Sequence, residues 1–216
     1  MQPSFADTTP PLSVALKQGS TQEHDAAERS LFVTELLAGH VNKQGYADYL
    51  LRLRVIYAAL EDAVRARRDD PLVAAVFDPA LERLTAIEAD LDEWAPGTPR
   101  DVESPAAQAY RDRITSACWG GALVAHHYTR YLGDLSGGQA IGKMLDRAFG
   151  LDGAGLAFYA FPMRPKPYKD SYRARLDRLG LEPEEVGHAV NEVKIAFGLN
   201  KALLDELASN LSTYCR

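Results

Sequence analysis

The sequence predicts an all-α protein folded as a single domain, and three observations carry that expectation. Apolar residues recur three and four apart over long stretches, as in Tyr46, Tyr49, Leu50, Leu53, Ile56, Tyr57, Leu60 and Val64, which places them on one helix face against a core. No segment shows the strict alternation of a half-buried strand. Across the 216 residues, Ala, Leu, Arg, Glu and Asp outweigh the β-branched types, and no repeat, low-complexity run or second composition block divides the chain. About eight helices are expected.

Taken in order, residues 1–11 are polar and Pro-rich and are expected to be disordered. A first helix follows from Leu12 to about Glu28, with Leu12, Ala15 and Leu16 on one stripe. Ser30 can cap a short helix over Leu31 to Leu37 that Gly39 ends, and Asn42 can cap the long amphipathic helix that runs to about Arg67. Pro71 and Asp78-Pro79 break the pattern before Leu81 to Trp94 resumes it. Ala95-Pro-Gly-Thr-Pro99 is the clearest loop, and a helix from about Ser104 to Ser116 follows. Gly120-Gly121 loosens the chain before a helix from Ala122 to Phe149, which Gly150 terminates and which is expected to bend at Gly137-Gly138. After an irregular piece through Pro162 to Pro167, helices from about Tyr168 to Leu179 and from Pro183 to Leu211 complete the chain.

Charge and cysteine content narrow the function classes. A net charge of -6 with no basic stripe argues against nucleic acid as a partner. Met1 to Thr9 lacks the basic and apolar regions of a secretory signal, and no segment approaches the roughly 18 apolar residues of a membrane span. A cytoplasmic protein without a membrane anchor is expected, with Cys118 and Cys215 as free thiols.

The strongest local clue lies between Arg130 and Gln139, where three glycines interrupt an otherwise helical stretch. Each mid-helix Gly costs about 0.5–1 kcal/mol relative to Ala, so a helix kept bare on one side calls for a flat ligand or a close crossing. Gly133 and Gly137 share a face, and Gly138 lies on the adjoining strip beneath Asp134. Of the five histidines, His24 has the most suggestive setting, with Glu28 one turn on and Lys17 seven residues before it. His126 and His127 are adjacent, diverge by about 100° on a helix and read as core or surface residues rather than a chelate. Glu185-Val-Gly-His188 matches one half of a di-iron element but has no second copy, and a solvated helix start explains it. Cys118 could serve as a nucleophile, though a buried structural thiol is the commoner case.

The run His127-Tyr128-Thr129-Arg130-Tyr131-Leu132-Gly133-Asp134-Leu135-Ser136-Gly137-Gly138-Gln139 closely resembles the distal-helix signature of haem oxygenases. The resemblance extends over nearly the whole chain. Leu16-Lys17 and His24-Asp-Ala-Ala-Glu28 resemble the proximal helix, Ile56-Tyr57-Ala-Ala-Leu60-Glu61 the long helix, Tyr168-Lys169-Asp-Ser-Tyr172-Arg173 the propionate-contacting helix, and Ala196-Phe197-Gly-Leu-Asn200 the last. Val33 departs from the Met that many relatives carry beside the haem edge, an apolar exchange that affects only packing.

This resemblance implies one haem oxygenase-like domain over residues 12–216, with haem b, both substrate and cofactor, between a proximal and a kinked distal helix. It implies His24 as the iron ligand with Glu28 behind it, and Gly133, Gly137 and Gly138 pressing backbone on the porphyrin. Asp134 would hold a water that protonates the bound dioxygen, with Tyr57 and Arg130 completing the network. Lys17, Tyr128, Lys169 and Arg173 would meet the propionates, and Ser136, Phe197 and Asn200 would line the cofactor. The activity implied is cleavage at the α-meso carbon to biliverdin, carbon monoxide and ferrous iron, with electrons from an external ferredoxin or flavoprotein reductase. A haem carrier would share His24 and the propionate partners but has no need of Asp134; a thiaminase-like hydrolase on the same fold would use a cysteine such as Cys118.

Overall fold

The computed structural model describes residues 10–215. It is built from α1 (Leu12–Gly19), α2 (Thr21–Glu28), α3 (Leu31–Leu37), α4 (Lys43–Ala66), α5 (Pro71–Ala74), α6 (Leu84–Trp94), α7 (Pro105–Thr115), α8 (Gly120–Gly133), α9 (Gln139–Phe149), α10 (Pro165–Leu176), α11 (Pro183–Ala208) and α12 (Leu211–Tyr214). Short 3₁₀ turns cover Pro79–Leu81 and Ala157–Tyr159, and a π turn over Asp134–Gly138 joins α8 to α9. Among the described residues the only β pairing is an isolated bridge between Val41 and Cys215, so the all-α expectation holds. Most of the segment expected to be disordered, 1–9, lies outside the described residues, and Pro11 already serves as the N-cap of α1.

The local signals act as expected at several ends. Ser30 Oγ accepts from the Val33 amide at 3.3 Å, and Asn42 Oδ1 from the Gly45 amide at 2.9 Å. Gly39 and Gly150 end their helices at φ of 76° and 62°, a conformation that costs glycine nothing. The apolar stripe of α4 is buried throughout, and Leu50, Leu53, Ile56, Tyr57 and Leu60 are fully enclosed. Each such side chain contributes about 1.5–3 kcal/mol by leaving water, so this helix is the spine of the core. It packs on α6 and α7, while α8 lies along α11 and α11 also meets α2.

Elsewhere the structure departs from the pattern. The first helix breaks at Ser20, whose hydroxyl donates to the Leu16 carbonyl at 2.7 Å and whose backbone turns to φ -115°, ψ 13°. Such side-chain bonds to the preceding turn compete with the helical ladder, so Lys17 and His24 occupy two helices rather than one face. Gly120-Gly121 are the start of α8 rather than a loose approach to it, with Gly120 against Asp70 and Gly121 against the Trp119 ring. α10 begins three residues before the expected Tyr168, because Pro165 and Pro167 fall in its first turn, where no amide is needed. The start of α6 is set from afar: the buried carboxylate of Glu61 accepts from the amides of Arg83 at 2.6 Å and Leu84 at 2.9 Å.

Candidate active site

A cleft of about 760 Å³ opens between α2 on one side and α8, the π turn and α9 on the other, with α11 closing one flank. Its apolar lining includes Val33, Leu37, Leu132, Ile141, Phe197 and Leu204. Of the residues expected at a site, Lys17, His24, Glu28, Tyr128, Arg130, Gly133, Asp134, Ser136, Gly137, Gly138, Arg173, Phe197 and Asn200 all line it. Tyr57 and Lys169 do not. Tyr57 is fully buried behind Asp134, and Lys169 stands outside the wall with its Nζ donating to Ser136 Oγ at 2.7 Å.

α2 presents His24 with its side chain 48% exposed and the Phe197 ring edge-on at 5.5 Å between centroids. Nε2 lies 3.5 Å from Glu28 Oε1, and Nδ1 lies 3.5 Å from Asp25 Oδ1. Each ring nitrogen thus has a carboxylate beside it, so either carboxylate can orient the imidazole once the other gives way to a metal. Asp25 is a partner that the helical spacing did not single out, since it is the immediate neighbour of His24 and faces it only through its own rotamer.

The opposite wall is bare backbone. A Cβ built on Gly133 or Gly137 meets nothing within 4 Å, so both positions open onto free space, whereas one on Gly138 reaches ordinary contact with Tyr159 and the Gly133 carbonyl. The bend expected at Gly137-Gly138 is instead a π turn that starts at Asp134. Gln139 bridges it: its side-chain amide donates to the Asp134 carbonyl at 3.2 Å and the Tyr159 carbonyl at 3.0 Å. One residue more per turn frees carbonyls from the usual ladder, and this amide takes one of them.

Beside the glycines lies a buried polar cluster. The Tyr57 hydroxyl donates to Asp134 Oδ2 and accepts from Arg130 through Nε at 3.2 Å and Nη2 at 3.1 Å. Arg130 also donates from Nη1 to Asn200 Oδ1 at 2.7 Å, and its Nη2 lies 3.7 Å from Asp134 Oδ1. Burial pushes the Asp134 carboxyl up from its ordinary value, opposed by Arg130, Tyr57 and Arg83. Burial likewise raises Tyr57 far above the usual phenol range, so its proton stays in place and it remains a donor. Arg130 would lose affinity for its proton on burial, but Tyr57 and Asp134 hold it well above its ordinary value and keep it charged. Tyr49, which also lines the cleft, was not singled out beyond its place on the α4 stripe.

The remaining sequence candidates fall outside the cleft. Glu185 closes a capping box, accepting from the Glu182 amide at 2.9 Å, as a solvated helix start requires. Cys118 is exposed and not buried as the commoner case for such a thiol has it, its Sγ donates to the Ser116 carbonyl at 3.4 Å, and it does not line the cleft; Cys215 is likewise a free, exposed thiol. Both adjacent histidines are core residues, His127 bonded to Tyr172 and His126 to Glu192 at 3.0 Å. Burial works to raise the Glu192 carboxyl, but hydrogen bonds from Arg113 and His126 bring it from 4.5 down to about 2. A carboxylate so lowered stabilises the fold above its unfolded value and loses that contribution as pH falls toward the folded one. Native protein should therefore weaken between about pH 4.5 and 2 more steeply than Glu192→Gln, as urea midpoints at pH 6 and pH 3 would show; parallel slopes would remove Glu192 from the acid response.

Comparison with known proteins agrees with this geometry. The family model described as "Heme oxygenase" matches residues 10–206. The chain is 36% identical over 209 residues to "Heme oxygenase" of Rhodella violacea, covering 92% of this chain and 88% of the relative. Its structure is similar to that of heme oxygenase-2 from Synechocystis sp. PCC 6803 in complex with heme and NO, with a TM-score of 0.90 at 32% identity over 94% of this chain and 88% of that one. It is also similar to heme oxygenase-1 from the same cyanobacterium in complex with heme, with a TM-score of 0.88 at 34% identity over 94% and 95% of the two chains. With the glycine-walled cleft, the buried Asp134 cluster and a match running from α1 into α11, the chain belongs to the haem oxygenase family.

Proposed function

We propose that this chain binds haem in the cleft and, with dioxygen and electrons from an external donor, opens it at the α-meso carbon to biliverdin, carbon monoxide and ferrous iron. The observation that carries the reading is the bare wall at Gly133 and Gly137 beside a buried Asp134, across the cleft from His24. The residues fit the group. His24 offers an imidazole, the lining offers apolar contact for a flat ring, and Lys17, Tyr128 and Arg173 on the wall with Lys169 beside it suit two carboxylates.

When bound, haem supplies the iron that takes up dioxygen and the ring that is cleaved. His24 would hold that iron through one nitrogen, and a carboxylate on the other would keep the ring oriented. Tyr57 occupies one oxygen of Asp134 and leaves the other to order a water toward the cleft. A carboxyl whose proton affinity is raised by burial is closer to the working pH, which suits a relay of protons through that water. Arg130, pinned by Tyr57 and Asn200, keeps the carboxyl in place. Gly133 and Gly137 let backbone approach the ring where any side chain would stand in the way. The basic rim of Lys17, Lys169 and Arg173 gives an acidic electron donor a place to dock on an otherwise acidic chain.

Haemin added to the purified protein should give a complex whose Soret band is lost on reduction in air while biliverdin appears. A complex that survives those conditions unchanged would make the chain a haem carrier. Among the described residues no helix is long and apolar enough to cross a membrane.

Orientation of the ring gives a further expectation. A charge-assisted hydrogen bond contributes about 1.5–3 kcal/mol when desolvated and less at a rim open to water. Removing one contact should shift in-plane orientations without abolishing binding. Native protein should yield the α isomer, and Lys169→Ala with Arg173→Ala should yield a mixture including the β or δ isomer. A purely α product from the double variant would assign the choice of carbon to the distal helix instead.

A further inference from the structure

α10 carries both Lys169 and Arg173, yet of its residues only Tyr172 and Leu176 are buried. A helix with so small an apolar face takes its position largely from polar bonds. Toward α1, the Asp177 carboxylate accepts from the Ser13 amide at 2.8 Å and the Ser13 hydroxyl at 3.0 Å. Toward the segment after α5, the Tyr168 hydroxyl donates to Asp78 at 2.6 Å, and Arg175 Nε donates to the Ala75 carbonyl at 2.8 Å. Toward α8, the Tyr172 hydroxyl and His127 Nδ1 share a hydrogen bond of 2.8 Å.

That last contact is unusually well enclosed. His127 and Tyr172 are both buried, their rings lie within 9° of parallel at 5.7 Å, and the His127 ring is 4.4 Å from that of Tyr131. Burial and the nearby Arg175, opposed by Asp78, push His127 down to about 3, so the imidazole is neutral throughout the range in which an enzyme works. Neither residue lines the cleft, but each adjoins one that does: Tyr128 follows His127, and Arg173 follows Tyr172.

We propose that the His127–Tyr172 bond is a positioning pair that fixes α10 against the distal helix and thereby sets the in-plane orientation of haem. The inference rests on the reading of the cleft as a haem site. Two groups expected to meet the propionates, Tyr128 and Arg173, sit one residue along from the two ends of one buried bond. Loss of the bond lets α10 shift along α8, and the spacing of those groups changes with it. A shift too small to expel the ligand is enough, because haem is nearly symmetric apart from its propionate edge.

Tyr172→Phe removes one oxygen and keeps the ring stack. His127→Phe removes Nδ1, and His127→Asn retains a polar atom near the same place. The readout is the ratio of in-plane orientations in the ferric cyanide complex, taken from haem-methyl resonances without turnover, followed by the ratio of biliverdin isomers. Tyr172→Phe and His127→Phe should each raise the minor orientation about 2- to 10-fold, the range of one net hydrogen bond. The double variant should go no further than either single one, and His127→Asn should stay near native. An unchanged ratio in Tyr172→Phe, additive effects in the double variant, or equal shifts in His127→Asn and His127→Phe would overturn the proposal. If Tyr172→Phe does not fold, the two His127 variants decide by themselves. A chain that binds haem and releases no biliverdin would refute the proposed activity, while the orientation ratio would still judge the pair.

Discussion

Asp134→Ala is expected to bind haem as the native chain does and to release essentially no biliverdin. The wall proposed to accept the ring is backbone, and the proposed iron ligand, His24, lies on α2, so neither depends on this carboxyl. What is lost is the acceptor that holds a water in reach of the reacting oxygen, and positioned proton transfer is worth about 10²–10⁴ in rate. Arg130 keeps Tyr57 and Asn200 but loses its one carboxylate neighbour within the cluster. A buried charge stripped of its counter-charge costs on the order of 3–5 kcal/mol, so the variant should also melt earlier. Asp134→Asn separates the two effects, since it preserves shape and forfeits the charge. Peroxide added to the haem complex of Asp134→Ala should oxidise phenols rather than open the ring. Biliverdin at native yield from the alanine variant would end the proposed role.

His24→Ala should retain haem and lose turnover. Binding in the variant is left to the apolar lining and the rim cations, which do not involve α2's imidazole. His24 is about half exposed, so the space it vacates is open to solvent and added imidazole should restore part of the activity. Glu28→Gln should be milder, with losses of about 10–100-fold, the usual effect of altering a ligand's hydrogen-bonding partner. Because Asp25 stands at the same distance from the other ring nitrogen, the Glu28 variant is expected near the lower end of that range. Full activity in His24→Ala, measured as loss of the Soret band, would remove His24 from the reaction.

Much of this site was legible because it is local. The i, i+3, i+4 rhythm of α4 became its buried face, and Ser30 and Asn42 cap where their side chains can reach the third amide on. The glycines between Arg130 and Gln139 announced that backbone was needed there, and open space lies above two of them. What escaped the sequence is held across long separations. Asn200 anchors Arg130 from seventy residues away, and Glu61 starts a helix with its carboxylate from another. No spacing rule relates such pairs, since they meet only after the helices have packed. Ser20 broke the first helix for a different reason, because a serine that bonds the preceding turn looks the same in sequence as one that faces water. The two adjacent histidines, which the sequence leaves as core or surface residues and not a chelate, are both core, but which partners they would find, Glu192 and Tyr172, was not visible.

The π turn has one further consequence, which concerns chain length rather than residue type. Asp134–Gly138 winds more loosely than the helices on either side, so it holds about one residue more than α-helical winding would need to cover the same rise. Dropping one of Leu135, Ser136 or Gly137 would let the segment rewind as α-helix over nearly the same rise and rotation, leaving α9 in phase with α8. Gly142 would keep its place against Tyr159, where a Cβ would fall at 2.9 Å, while the Asp134 carbonyl that Gln139 now satisfies would return to the helical ladder. A one-residue deletion here would thus spare the packing of α9 and be felt in the cleft, whose wall Asp134, Ser136, Gly137 and Gly138 form, so the extra residue shapes the site and not the fold around it.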